Sequence, residues 1–502
     1  MAQTCARYSQ YPTKMLQCLN TDESRELRSF LLDSGYNMQA LLQCFGHDEA
    51  PQIHLLKLFT VGLTLLPNRL HTLLRWFWIG AAVDASTTHE FVPDRILDLF
   101  LKSGLLAAED AQFTSAYRIS PFSNYLIVSD QLAARSGTLR TDMVVWPNPT
   151  SQLCHYLSMQ APVERALDLG SGSGVLAVPL AAHSGSVVAT DVNPRAREFC
   201  LFNAALNGSS NVEFREGSLF EPVQGERFDL ILANPPFFVT PTMRHSYSDN
   251  GMELDGFCRT LVRQAPEHLN DKGYFQMVVE WVEFNGQPWR DRLKEWFSGI
   301  GCDAWVICSY SRSSVDYALI RMQDDHSESL EQAAQIELLK SWREYFESRQ
   351  VKALYGGVIV LRRREGPNWV RMEELHALLS RPFGECMRQI FESRDYLGAH
   401  SDEDLANIRP ASPPTTRLTK QFAMSPEGWQ LAAIDMHLGE GLPYSVSLQP
   451  QVADFLAFCD GKRTVREIAD QIAAAHGIDA AIVRHESCGI VRRLADRGMI
   501  VV

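Results

Sequence analysis

Apolar residues between about 21 and 106 recur at spacings of three and four, as in Leu27, Phe30 and Leu31 and again in Leu70, Leu73 and Leu74. That period puts them on one face of successive helices and predicts an α-helical N-terminal domain. Residues 95–106 read as its last helix, and residues 117–128 as a β-hairpin after a short polar break. Beyond residue 140 the pattern changes to short apolar runs, at 166–169, 186–190, 212–215, 228–233 and 273–281. Helical stretches separate them, one over 194–206 and one from 250 to 269. Strands alternating with helices predict an α/β fold on a parallel sheet. Residues 142–151 read as a strand stopped by prolines and then a capped helix, 304–308 and 315–322 as the antiparallel hairpin that closes the sheet, and 328–349 as an amphipathic helix. Residues 356–364 compete with 315–322 for the last strand. The proline-rich run 409–416 reads as a linker, after which 452–458, 460–469 and 490–501 give three helices and a terminal strand. The expected domains are 1–139, 140–408, a linker at 409–417, and 418–502.

Two of these strands end in residues that carry chemistry. The first runs from Ala166 through Asp168 into Gly170, Ser171, Gly172 and Gly174, and a helix follows. Glycines lack a Cβ, so such a turn lets backbone approach a ligand closely. The next strand ends at Asp191, about 20 residues on, where a carboxylate can accept hydrogen bonds from both hydroxyls of a ribose. This spacing suits NAD or S-adenosylmethionine, although glycine turns also occur in α/β proteins without a cofactor. The run 228–233 ends in Asn234-Pro235-Pro236-Phe237. Two prolines remove two backbone donors and fix φ, so the Asn234 side chain and the Pro235 carbonyl are held at the strand's end as acceptors. A planar NH2 group that gives both hydrogens to fixed acceptors has its lone pair aimed at an electrophile. Phe237 adds a flat face.

With these residues in place, the chain resembles the class I S-adenosylmethionine-dependent methyltransferases, and among them the small-domain N-methyltransferases marked by Asn-Pro-Pro-(Phe or Tyr). The resemblance spans about residues 140 to 325. It implies a Rossmann-like seven-stranded methyltransferase core, S-adenosylmethionine as cofactor, and methyl transfer to a planar nitrogen. It further implies that Asp168, Gly170, Ser171, Gly172 and Gly174 line the methionine end, Asp191 the ribose, and Asn234 and Pro235 the target nitrogen, with Pro236 stiffening the turn and Phe237 stacking on the target plane. The family's acidic partner of the adenine amine is missing from Glu216-Gly-Ser-Leu-Phe220, so Ser218 or the backbone at Leu219 takes its place; Phe220 is either an adenine contact or core. The segment before the glycine turn resembles the family's proline-rich wall, with Ser151 where an acidic residue is usual and Thr150 a helix N-cap. Ala265-Pro-Glu-His-Leu269 resembles the helix end of the release-factor glutamine methyltransferases. The helix and hairpin near the N-terminal end are winged-helix-like, an arrangement that serves nucleic acids, substrate lids or dimer contacts, and the three helices and terminal strand at the other end resemble small winged-helix modules that bind peptides.

Composition narrows the setting. The 502 residues, 45% hydrophobic and 21% charged, suffice for roughly two to four globular domains. A net charge of −13 argues against broad attachment to nucleic acid. Eleven scattered cysteines form no zinc spacing and no disulfide framework, so no metal is expected and a cytoplasmic setting fits. The N-terminal residues lack the order of a signal peptide, and Lys57, Pro67, Asn68, Arg69, His71 and Arg75 interrupt the most apolar region, so no membrane span is expected. Its run Trp76-Phe-Trp78 reads as core, and the basic triplet Arg362–Arg364 as a solvated strand end. His245 and Tyr247 lie on a polar loop, 240–250, at the substrate side. The reading that unites these features is an N-methyltransferase acting on a macromolecule, with a protein glutamine-type amide favoured over an RNA or DNA base amine. The rival of another class is a non-catalytic binding protein on a degenerate methyltransferase fold. An NAD dehydrogenase would leave the two prolines unexplained.

Overall fold

The computed structural model describes residues 15–46, 55–131, 142–241, 252–324, 331–375 and 379–501. The chain divides into two compact units, Met1–His155 with Pro162–Glu374, and Tyr156–Ala161 with Leu375–Val502.

The first unit opens with helices whose apolar faces build one core, in which Trp76, Phe77 and Phe100 are fully buried. Helix Asp94–Lys102 leads into short strands, then into the hairpin β1 (Tyr117–Phe122) and β2 (Tyr125–Asp130). The expected strand over 142–148 does not form: those residues run without regular structure into α1 (Pro149–Leu157), capped by Asn148, whose Oδ1 accepts from the Ser151 N–H at 2.9 Å. The Val144 N–H donates to the Asp130 carboxylate at 2.8 Å, so it is spent on a side chain and not on a ladder.

The central sheet has eight strands rather than seven. In chain order they are β3 (Val163–Leu169), β4 (Ser184–Asp191), β5 (Val212–Glu216), β6 (Phe228–Ala233), β7 (Leu269–Phe284), β8 (Cys302–Ser313), β9 (Val351–Arg363) and β10 (Val370–Glu374). Their spatial order is β10-β8-β9-β7-β6-β3-β4-β5. Pairing is parallel from β7 to β5, and β9 runs antiparallel to both β7 and β8. The extra strand β10 lies parallel to β8 at the edge. Residues 315–322 belong to helix α6 and not to a strand; with α2 (Ala177–Ala181), α3 (Ala196–Leu206), α4 (Gly256–Gln264) and α5 (Trp289–Phe297) before it, α6 is Ser314–Asp324, and α7 (Gln332–Ser348) follows. The competing segment, 356–364, supplies β9. Gly356 and Gly357 admit it, because a Cβ there would collide with the Tyr310 ring and the Ile307 carbonyl. Arg362 at its end is 2% exposed and ion-paired with the buried Asp303 at 2.9 Å, so the basic triplet is a staple inside the sheet and not a solvated end.

The glycine turn after β3 is tied to the N-terminal hairpin through α3. Asn203 accepts from the Val128 N–H and donates to the Val128 and Ser173 carbonyls, each at 2.8 Å. One helical turn on, Asn207 meets Leu126 in the same way, at 3.0 and 2.8 Å. Four helical residues rise about 6 Å and two strand residues about 6.7 Å, so two asparagines a turn apart imitate the edge of a neighbouring strand.

The second unit holds helix Gly384–Ala399, strands β11 (Arg417–Ser425), β12 (Gly428–His437) and Ser445–Ser447, and helices Pro450–Leu456, Val465–His476 and Ala480–Ala495. The proline-rich segment expected as a linker lies within it, with Ala411 bridging to Asp460 and to Val501.

Asn203 is fully buried with both ends of its amide engaged. Asn203→Ala strands three backbone groups, and urea denaturation should register a loss of about 2–4 kcal/mol; Asn207→Ala, half-exposed, should lose about 1 kcal/mol.

Candidate active site

Register sets the geometry. Leu169 on β3 pairs with Thr190 on β4 and with Ala233 on β6, so Gly170, Asp191 and Asn234 leave the sheet in one row at the carboxyl ends of three neighbouring parallel strands. Ligands of open α/β sheets bind at such ends.

The turn folds back onto β4: the N–H groups of Gly170 and Ser171 both donate to the Thr190 carbonyl, at 2.9 and 2.8 Å. Gly170, Gly172 and Gly174 all have positive φ. Gly174 also allows α3 to approach, since a Cβ there would sit 2.9 Å from Cys200 Sγ. Beside Gly170 and Gly172 a Cβ would meet nothing within 4 Å, so the turn borders open space.

Asp191 accepts from the Gly172 N–H on Oδ2 at 2.7 Å and from the Asn193 N–H on Oδ1 at 2.8 Å. A carboxylate has about four acceptor positions, so both oxygens keep capacity for a ligand. Burial raises its pKa above the ordinary value. Asp168 is fully buried; Oδ2 accepts from the Ala177 N–H at 2.8 Å, while Oδ1 has no partner. Burial, with a smaller contribution from nearby Asp191, pushes its pKa up to about 7. The Ser171 hydroxyl has only the Cys200 thiol beside it. Ser218 is exposed and Leu219 half-buried at positive φ, in a loop tied to β4 by the Gly217 N–H on the Asp191 carbonyl at 3.0 Å. Phe220 is 4% exposed and stacks on His268 with centroids 4.5 Å apart, so of its two readings the structure supports core.

At Asn234 the hydrogen bonds fix an orientation. Asn148 Oδ1 accepts from a backbone N–H, so it must be the oxygen, and the Ser151 hydroxyl, 3.0 Å away, donates to it. With its proton given to Asn148, which also accepts from the Thr150 hydroxyl at 2.7 Å, Ser151 accepts from Asn234 Nδ2 at 3.3 Å. The Asn234 amide therefore turns its oxygen the other way. Ser151, which the sequence marks only as a substitution for an acidic residue, is the group that sets this direction.

Past the motif, Phe237 is buried edge-to-face against Phe238, with centroids 4.9 Å apart, and Arg321 lies 3.8 Å over the Phe238 ring. The Val239 N–H donates to the Tyr317 hydroxyl at 3.1 Å; Tyr317 and Tyr310 each donate to the buried Glu280 at 2.5 Å. Burial raises the Glu280 pKa. No local pattern in the sequence points to this cluster, because its members come from β7, β8 and α6. His245 and Tyr247 lie outside the described residues. No helix among the described residues is long and apolar enough to cross a membrane.

Residues 148–304 match the Methyltransferase small domain, and residues 388–502 match a Domain of unknown function (DUF7782). The chain is 34% identical over 134 residues to the release factor glutamine methyltransferase of Xylella fastidiosa, covering 24% of this chain and 48% of that one. It is 36% identical over 124 residues to the ribosomal protein uL3 glutamine methyltransferase of Bradyrhizobium diazoefficiens, covering 22% and 39%. Against the ribosomal RNA small subunit methyltransferase C of Salmonella arizonae it is 38% identical over 119 residues, covering 23% and 31%. The chain thus spans about half or less of each of these relatives.

The buried Asp168 sets a pH dependence. Its folded pKa is about 7 against an ordinary 3.8, so between those values the unfolded chain releases a proton that the folded chain keeps. Stability of the ligand-free protein therefore falls as pH rises through that window and levels off above it. Asp168→Asn keeps an acceptor for the Ala177 N–H and removes the fall. Urea denaturation should find the variant more stable than wild type by up to about 4 kcal/mol near pH 8, and little different near pH 4.

Proposed function

We propose that this chain, whose residues 148–304 form a class I methyltransferase domain of the small-domain type, is an S-adenosylmethionine-dependent N-methyltransferase acting on a planar nitrogen, first of all a glutamine-type protein amide. The observation that carries this reading is the single row in which Gly170, Asp191 and Asn234 leave three adjacent parallel strands.

The residues present fit the cofactor. Asp168 Oδ1 is buried and unpartnered, which suits an ammonium group, and ionisation of Asp168 is then favoured by the charge it meets. The space beside Gly170 and Gly172 accommodates a chain lying against the turn, the spare capacity of Asp191 suits two ribose hydroxyls, and Ser218 with the Leu219 backbone suits an adenine edge. S-adenosylmethionine supplies a methyl group on a sulfonium whose positive charge disperses as the methyl departs. The chain's own task is alignment. Asn234 Oδ1, turned outward by Ser151, and the Pro235 carbonyl accept the two hydrogens of the target NH2, Phe237 offers its face to the target plane, and Pro236 stiffens the turn. The Tyr317 hydroxyl holds the Val239 amide and so the far end of that turn.

A protein amide is favoured by the net charge of −13 and by the names of two of the three relatives above. The base amine of an RNA or DNA is the second reading, supported by the ribosomal RNA methyltransferase among them. The regions 1–139 and 418–502, read as winged-helix-like, would recognise the macromolecule. An intact glycine turn, Asp191 and Asn234 weigh against a degenerate, non-catalytic fold.

Asp191→Ala should weaken S-adenosylmethionine at least tenfold in calorimetric titration, because two charge-assisted bonds to the ribose are lost; heat with NAD but none with S-adenosylmethionine would refute the cofactor. Asn234→Ala should leave cofactor affinity nearly unchanged and cut turnover about a hundredfold or more, the signature of an interaction made in the transition state. Turnover can be followed in cell extract with labelled cofactor and a nuclease-treated and a protease-treated half. Label lost to protease alone supports the amide, whereas label lost to nuclease alone transfers the assignment to a base amine.

A further inference from the structure

Arg118, on β1, is 4% exposed, and its guanidinium makes no hydrogen bond or ion pair among the described residues. It lies over Trp78, 3.6 Å from the ring centroid, with the Trp146 ring 5.5 Å away. Burial lowers its pKa only to about 10, so it stays charged at neutral pH. A buried, unpaired charge is among the most expensive features a fold can keep, and it persists where something else compensates it. Trp78 Nε1 and Trp146 Nε1 are buried donors without partners, and Ser120, on the same face of β1 two residues along, has a buried hydroxyl without a partner. A buried guanidinium with no carboxylate partner, on the same hairpin face as a spare hydroxyl and beside a tryptophan whose N–H is unused, is complementary to an oxyanion.

The place of this cluster says which oxyanion. Trp146 belongs to the segment 142–148. At one end of it the Asp142 carbonyl accepts from Asn193 Nδ2 at 2.9 Å, two residues past Asp191; at the other, Asn148 holds Ser151 and through it Asn234. The segment therefore runs from the ribose end of the proposed cofactor site to its methyl-transfer end. The hairpin that carries Arg118 is pinned to the same site, since Asn203 joins β2 to the Ser173 carbonyl of the glycine turn. The methionine end of the cofactor has two charges. Asp168 answers the ammonium, and Arg195, at the start of α3, is already bound to both carboxylate oxygens of Asp130, at 2.6 and 2.7 Å.

We propose that Arg118, with Ser120 and the Trp146 indole N–H, forms a carboxylate site that receives the α-carboxylate of the cofactor's methionine end. This rests on the S-adenosylmethionine reading and adds to it a residue from outside the methyltransferase sheet. A carboxylate of the methyl acceptor is the other source of the same chemistry, and the test separates the two.

Calorimetric titration of the full chain would compare three probes: S-adenosylmethionine, its decarboxylated form, which keeps the ammonium, and 5′-methylthioadenosine, which has neither charge. Wild type should prefer S-adenosylmethionine over the decarboxylated form by about thirtyfold or more. Arg118→Gln should abolish that preference while leaving the other two probes within about threefold, and Arg118→Lys should keep part of it. Trp146→Phe, which retains the ring and loses one donor, should reduce the preference several-fold, and it carries the test should Arg118→Gln fail to fold. If wild type binds no probe, the cofactor reading itself falls. If it binds S-adenosylmethionine and the decarboxylated form equally, or if Arg118→Gln weakens all three probes alike, the carboxylate site is overturned and the cofactor reading stands. Unchanged cofactor affinity in Arg118→Gln with a raised KM for the labelled macromolecular acceptor overturns the assignment to the cofactor and moves the carboxylate to the acceptor.

Discussion

Because side chains alternate along a strand, a one-residue slip of β4 or β6 against β3 would send its terminal side chain to the opposite face of the sheet. Every site residue depends on that register, and the opposite end of the sheet helps to hold it. Asp229, near the start of β6, accepts from the N–H groups of Glu164 and Arg165 on β3, at 3.1 and 3.0 Å, and from Asn270 Nδ2 on β7 at 2.7 Å. One carboxylate thus fixes three strands at their entry, so that the Gly170 turn and Asn234 emerge level at their exit.

The N-terminal helices are bound into the same arrangement. Phe199, Phe202 and Leu206 on α3 pack into the core built by Leu27, Phe30, Trp76 and Phe100, while Asn203 and Asn207 on that helix serve as the missing neighbour of β2. The glycine turn is consequently held from two directions, by its own sheet and, through Ser173, by a hairpin outside it.

How much of this was legible in the sequence follows the range of the interactions. The glycine turn, Asp191 and Asn234 could be read because each lies at the junction of a short apolar run and a break, and the bounds of β6 were read without error. Helix α6 was misread because its apolar spacing, with Val315, Ala318, Leu319 and Met322, is too short a stretch to separate helix from strand. The eighth strand and the insertion of β9 between β7 and β8 are decided by pairing partners tens of residues apart, which local periodicity does not contain. The same holds for the direction of the Asn234 amide, set by Ser151, and for Glu280, which is an ordinary acidic residue in a strand until Tyr310 and Tyr317 arrive from elsewhere. Arg362 looked solvated because three basic residues in a row usually are; its partner Asp303 comes from the neighbouring strand.

Two fully buried ionisable groups lack an ionic partner among the described residues: Asp168, which burial keeps protonated up to about pH 7, and Arg118, which stays charged. Burying such groups costs stability, so their presence argues for a ligand that carries the complementary pair. In the reading proposed above, the ammonium and the α-carboxylate of the cofactor are that pair. Binding then contributes to stability beyond the contacts formed, because energy already spent in burying the charges is returned when they are met. A ligand lacking one of its two charges recovers only half of that return. Discrimination against it needs no steric barrier, since the unsatisfied residue on the protein supplies the penalty.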